Sequence, residues 1–176
     1  MQDGFDPDSD MRETGDMPMP EAQADSIAQP LLLRPGQLLA RGVCRHLLTH
    51  DFVSVEELVP FAGLRVDVMA LGPRGEVWVI ECKSSRADYM ADHKWQNYIA
   101  WCDRFFWAVD ADFPTELLPD ETGLIIADAY DAEIIRIGPE AKLAGARRKV
   151  MLQKFARHAA LRQHMARDPQ ISLSVW

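Results

Sequence analysis

Three residues have the types and spacing to do chemistry together: Asp67 in RVDVM, and Glu81 and Lys83 in VIECKSS. Side chains alternate faces along a strand. Val77, Val79, Glu81 and Lys83 therefore share one face of segment 76–83, and Trp78, Ile80 and Cys82 share the other. In segment 64–71, Arg65, Asp67, Met69 and Leu71 form one face and Val66, Val68 and Ala70 the other. GPRG (72–75) between them reads as a hairpin turn, its glycines and proline supplying the special backbone angles. In a symmetric hairpin residue 69 opposes 79 and 67 opposes 81, so Asp67 and Glu81 face each other.

Two carboxylates directly opposite one another repel. A divalent cation between them relieves that repulsion. An all-oxygen ligand set suits Mg²⁺ or Mn²⁺, which keep waters and take further ligands from a phosphate. Lys83 could then stabilise phosphate charge or orient an attacking water. A metal, an activated water and a cation are what phosphodiester hydrolysis needs. The rival reading is a surface ion pair between Glu81 and Lys83, worth little energetically. Val77 and Val79 on the same face weigh against it.

These residues need a scaffold. Pro35 suits the first turn of a helix. Leu39, Val43 and Leu47 continue it as an apolar stripe to about His50, with Gln37, Arg41 and Arg45 on the other side. Strands are predicted at 52–58, 64–71 and 76–83. One helix follows, N-capped by Ser85 with Asp88 three residues on, its stripe being Ala91, Trp95, Tyr98 and Cys102. Further strands are predicted at 104–109, 123–128 and 133–137, and a long helix at 140–167. The order implies an α/β protein with a mixed sheet.

The net charge of −8 is unevenly spread. Residues 1–30 hold eight acidic side chains against Arg12 alone, which leaves 19 acids and 18 bases in residues 31–176. Residues 1–30 lack periodicity and read as a disordered acidic tail, with one domain over 31–176. Such a tail can mask a basic surface elsewhere. Cys44, Cys82 and Cys102 are widely spaced, which argues against a disulfide framework or zinc site and for free thiols in a reducing cytoplasm. No signal peptide and no membrane-spanning run is expected.

The combination of a helix, a hairpin carrying Asp67, a 13-residue spacer, Glu81-Cys82-Lys83 and a following helix resembles the PD-(D/E)XK nuclease superfamily. Val66 stands where that motif commonly has proline. From about Pro35 to Arg162 the chain also resembles bacterial MmcB-related DNA repair proteins, through LRVDVMALGPRGEVWVIECKSSRADYMADHKWQNYIAWCDRFFWAV and GLIIADAYDAEIIR. The resemblance implies a restriction-endonuclease-like α-β-β-β-α-β core with a mixed central sheet flanked by helices. It also implies a role in DNA repair at the bacterial nucleoid, with DNA and other repair proteins as partners. Asp67 and Glu81 would be metal ligands, with the backbone carbonyl of Cys82 completing the site, and Lys83 would be the catalytic lysine. Members of the superfamily can also bind DNA without cutting it. A third reading is a protein-interaction module whose acidic tail engages a basic partner or mimics DNA.

Outside the motif, Gln96 is a candidate supporting residue and Glu57 a further acidic one. Arg41 and Arg45 could contact phosphate. Asp88, Asp92 and Lys94 are explained by helix-surface ion pairing. Residues 142–167 carry eight bases and no acid, among them Arg147, Arg148 and Lys154, with Leu152, Phe155, Ala156 and Ala159 as an apolar side. A helix of that kind can follow a DNA backbone without reading sequence. Trp95, Trp101 and Trp107 are expected in the core.

Overall fold

The computed structural model describes residues 33–170. The expectation of an acidic disordered tail at residues 1–30 lies outside them. The chain runs α1 (Pro35–Thr49), β1 (Val53–Phe61), β2 (Leu64–Leu71), β3 (Val77–Lys83), α2 (Arg86–Ala91), α3 (Gln96–Ile99), β4 (Arg104–Val109), β5 (Gly123–Ala127), β6 (Ala132–Arg136) and α4 (Gly145–Arg167). The six strands form one sheet in chain order. β3, β4 and β5 are parallel neighbours, and antiparallel pairs complete both edges. This mixed sheet flanked by helices agrees with the expected restriction-endonuclease-like core.

The alternation read from sequence sets the two cores, except that Val66, expected beside Val68 and Ala70, joins Met69 in the other core, beyond the point where β2 stops pairing with β3. Val68, Ala70, Ile80 and Cys82 point to one side with Phe106, Ala108 and Ile125, under Leu39, Val43 and Leu47 of α1. Met69, Val77 and Val79 point to the other, with Phe105 and Trp107, against Tyr98, Met151 and Phe155. Helix α1 docks closely at Gly42. A Cβ there would collide with the carbonyl oxygen of Asp128 and lie 2.6 Å from that of Asp131, in the turn between β5 and β6. Arg41 reaches the same turn, its Nε donating to the Ala129 carbonyl at 2.8 Å, with the guanidinium over the Tyr130 ring.

Several elements depart from the sequence reading. The helix after β3 is broken. Ser85 caps α2, its Oγ accepting from the Asp88 amide at 3.1 Å, but the chain turns extended at Asp92. There Asp92 Oδ1 accepts the Lys94 amide at 2.9 Å, a local bond that competes with continuing the helix. Helix α4 begins at Gly145 rather than 140. The buried carboxylate of Asp103 takes the Leu143 amide at 2.8 Å, and its carbonyl takes that of Ala141 at 2.8 Å, holding those residues extended. The buried side of α4 is Met151 and Phe155, one turn apart, with Leu152 half-buried and Ala156 exposed. β1 runs on to Phe61, and Glu57 within it has φ +57°. That turn of the backbone lets Val55 and Leu58, three residues apart, reach the same core.

Candidate active site at the end of β2 and β3

The hairpin has the symmetric register: Met69 opposes Val79 and Val68 opposes Ile80. One residue further the strands part, and side chains replace the ladder. The Cys82 amide donates to Asp67 Oδ2 at 2.8 Å, and the Asp67 amide donates to Glu81 Oε1 at 3.3 Å. Each carboxylate is thus held by the backbone of the opposite strand. Parallel pairing with β4 puts Trp107 beside Glu81, and the Lys83 ammonium lies 5.7 Å from the centre of that ring.

Glu81 is only 3 % exposed and Lys83 6 %. Lys83 Nζ is 3.8 Å from Glu81 Oε2 but 2.7 Å from Asp92 Oδ2. Burial, and then the neighbouring Asp67 carboxylate, push the Glu81 carboxyl up to about 9. Burial also raises Asp67, although the Cys82 amide and Lys83 pull the other way. Burial opposes charge on Lys83, but Asp92 and Glu81 outweigh it and raise its pKa. The charged form of Lys83 is therefore favoured. Asp92 is lowered: burial opposes ionisation, and Lys83 with the Lys94 amide overcomes it.

These groups open into a cleft of about 740 Å³. Its rim includes Arg34 and Gln37 at the start of α1, Glu56 and Glu57 of β1, Arg65 of β2, and Asp88, Asp92 and Lys94. Asp67 and Glu81 offer hard oxygen donors to a divalent cation. Glu81 fits that role because it is buried, under-compensated by Lys83 and beside a second carboxylate. Among the described residues no group of three or more His, Cys, Asp or Glu side chains stands ready to hold a metal alone. A cation here would complete its shell with backbone oxygen, water or phosphate, as Mg²⁺ commonly does.

A family model described as DNA repair protein MmcB-like matches residues 34–170, with the whole hairpin and cleft inside the match. The chain belongs to the MmcB-like DNA repair protein family. A solved structure, the SPO1766 protein of unknown function from Silicibacter pomeroyi, is 69 % identical, with a TM-score of 0.79 over 81 % of this chain and 99 % of that one. No curated protein matches. Membership gives this MmcB-like chain a DNA repair role, with DNA as the partner such a role implies. Among the described residues no helix is long and apolar enough to cross a membrane.

In this MmcB-like protein Asp67, Glu81 and Lys83 come together as the hairpin requires. The Cys82 thiol packs in the opposite core under α1. Of the other sequence candidates Glu57 lines the cleft, whereas Gln96, Arg41, Arg45, Arg147, Arg148 and Lys154 fall outside its lining. Gln96 opens α3 and is exposed. Arg41 is committed to the β5–β6 turn. Arg147 donates to the Ala100 carbonyl at 3.0 Å, and Lys154 to that of Val59 at 3.0 Å. Arg148 grips buried Asp103 with both Nη atoms, at 2.8 and 2.6 Å, so its first duty is to the fold.

Sequence reasoning missed Asp92. Helix-surface pairing does not describe it, because its partner Lys83 belongs to the sheet. The signal available was its place in DHK, a polar break between two apolar helical stretches. Arg65 was signalled more plainly, as the residue two before Asp67 on the same strand face.

Proposed function

We propose that this protein is a metal-dependent nuclease that hydrolyses phosphodiester bonds in DNA. The observation that carries the reading is the facing of Asp67 and Glu81 across the hairpin, with the Lys83 ammonium beside them in an open cleft. In this reading Asp67 and Glu81, with the Cys82 carbonyl, hold Mg²⁺ or Mn²⁺. The cation would polarise the phosphate and lower the pKa of a bound water. Lys83, kept charged by Asp92, stabilises negative charge as it develops on the phosphate. Arg34, Arg65 and Lys94 on the rim attract the backbone, and the bases of α4 extend that attraction.

The test is cleavage of single-stranded, duplex and branched DNA with Mg²⁺ or Mn²⁺, comparing wild type with Glu81→Ala and Lys83→Ala. Loss of cutting in both variants, with melting temperature retained, supports the reading. Cutting that survives both variants, or no cutting of any substrate by wild type, sinks it.

A second reading is a non-catalytic DNA-binding repair factor on the same fold. The observation favouring it is the small ligand set, two carboxylates without a third acidic or imidazole partner among the described residues. DNA binding with no metal-dependent cleavage would select it.

A further inference from the structure

The end of β1 carries an aromatic ring that neither core uses. Phe61 is 57 % exposed and belongs to neither buried cluster. Its ring lies along that of Trp101, centroids 5.8 Å apart and planes 20° from parallel. Trp101 is half-buried and packs against the core. The guanidinium of Arg147, from the first turn of α4, stands 5.5 Å from the centre of the same indole. Arg147 is held in place by the Ala100 carbonyl. The result is a pre-arranged stack of phenyl on indole, with a guanidinium beside the indole and the phenyl open to solvent.

We propose that this stack is a platform for the bases of an unpaired DNA strand, so that the cleft acts on single-stranded DNA or on the single-stranded arm of a repair intermediate. The inference rests on the reading of the cleft as a DNA site. Three observations favour this occupant over a protein. Aromatic faces and guanidinium planes bind unstacked bases of any sequence, whereas the bases of a duplex are already stacked. Residues 145–167, which supply Arg147, carry seven bases and no acid. The stack also lies near the cleft, though none of its three residues lines it: Phe61 pairs with Leu64, and Asp67 is three residues beyond Leu64 on β2, roughly 10 Å further at a strand's rise. A strand whose backbone enters the cleft would pass its neighbouring bases over Phe61.

The test uses the full chain in EDTA, where no cutting occurs. Fluorescently labelled oligothymidylate and a duplex of equal length are titrated into wild type, Phe61→Ala and Phe61→Trp. Phe61 is exposed, so its replacement leaves the fold intact, and melting temperature checks this. The expected result is a roughly tenfold loss of single-strand affinity in Phe61→Ala, the size of one lost base stack. Duplex affinity and the salt dependence of binding should be unchanged, because no charge is removed. Phe61→Trp should restore single-strand binding.

Equal losses for both DNAs, no loss for either, or no single-strand binding by wild type overturn the inference; the last outcome would assign the patch to a protein partner. Failure of the nuclease reading is a separate result. If DNA is never cut but the single-strand preference depends on Phe61, the platform stands without the chemistry. If DNA is cut and Phe61→Ala changes nothing, the chemistry stands without the platform.

Discussion

The ammonium of Lys83 is bound to Asp92, at 2.7 Å, and approaches Glu81 only to 3.8 Å. The same Asp92 ends α2 and receives the Lys94 amide. One carboxylate thus turns the chain and keeps the lysine from neutralising the carboxylate that would hold a cation.

Asp92→Ala should release Lys83 towards Glu81, where it would compete with a divalent cation. Metal affinity or metal-dependent activity should fall about 10–100-fold, the usual cost of losing a partner behind a ligand or catalytic group. Calorimetric titration with Mg²⁺ or Mn²⁺ reads this directly. Unchanged affinity would show that Lys83 stays clear of Glu81 without Asp92.

Saturating Mg²⁺ should raise the melting temperature of the wild type, with about 2.7 kcal/mol of added stability at a hundredfold excess over Kd. Glu81→Gln should abolish most of that gain while leaving the metal-free protein close to wild type, since burial already disfavours the Glu81 charge. A metal response that survives Glu81→Gln would move the cation site elsewhere.

Removing the Arg148 guanidinium leaves Asp103 buried and unpaired. Arg148→Met should cost about 3–5 kcal/mol of stability, measured by urea denaturation. A loss below about 1 kcal/mol would mean the backbone amides alone satisfy Asp103.

The same pair has a pH signature. Burial opposes the charge on Asp103, but Arg148 and the Leu143 and Val77 amides hold its pKa below the ordinary carboxylate value. Its stabilisation is therefore complete above the unfolded pKa of about 3.9 and is lost as pH falls through the lower folded value. Asp103→Asn should flatten the acid limb of a stability–pH curve, and an unaltered limb would discount the pair.

Charge reversal at exposed Lys149 and Arg162 of α4 should weaken DNA binding without unfolding the chain. The slope of log affinity against log salt should become shallower by about 0.9 for every duplex phosphate that is no longer neutralised. An unchanged slope would place the DNA elsewhere. Arg148 is a poor choice for this test, because its loss damages the fold first.

The hairpin was legible because its information is local. Alternation and a tight turn fix which side chains share a face, and the register followed from counting outwards from GPRG. Cys82 facing away from Glu81 came from the same rule. The break at Asp92 was signalled only by the polar DHK: the bond to the Lys94 amide that ends the helix is local, but the Lys83 partner that holds the carboxylate lies nine residues earlier on a different element. Arg148 was misjudged for a similar reason: a base on a basic helix reads as solvent-facing unless its buried partner, 45 residues away, is known. The end of α4 was right and its start wrong, because Asp103 captures backbone amides that periodicity cannot see. Trp107 is core as expected, whereas Trp101 is only half covered, its exposure decided by how the β1–β2 hairpin meets the chain after α3.

The close seat at Gly42 has a consequence for anyone redesigning this scaffold. Helix α1 lines the cleft with its first turn and is fixed to the β5–β6 turn near its middle. Gly42 and Gln37 are separated by only about 8 Å of helix axis at the usual rise per residue. A side chain at residue 42 would lift the helix off its seat and tilt the cleft wall with it. Substrate range could thus be altered from a position that never meets substrate, and a library confined to the cleft lining would miss it.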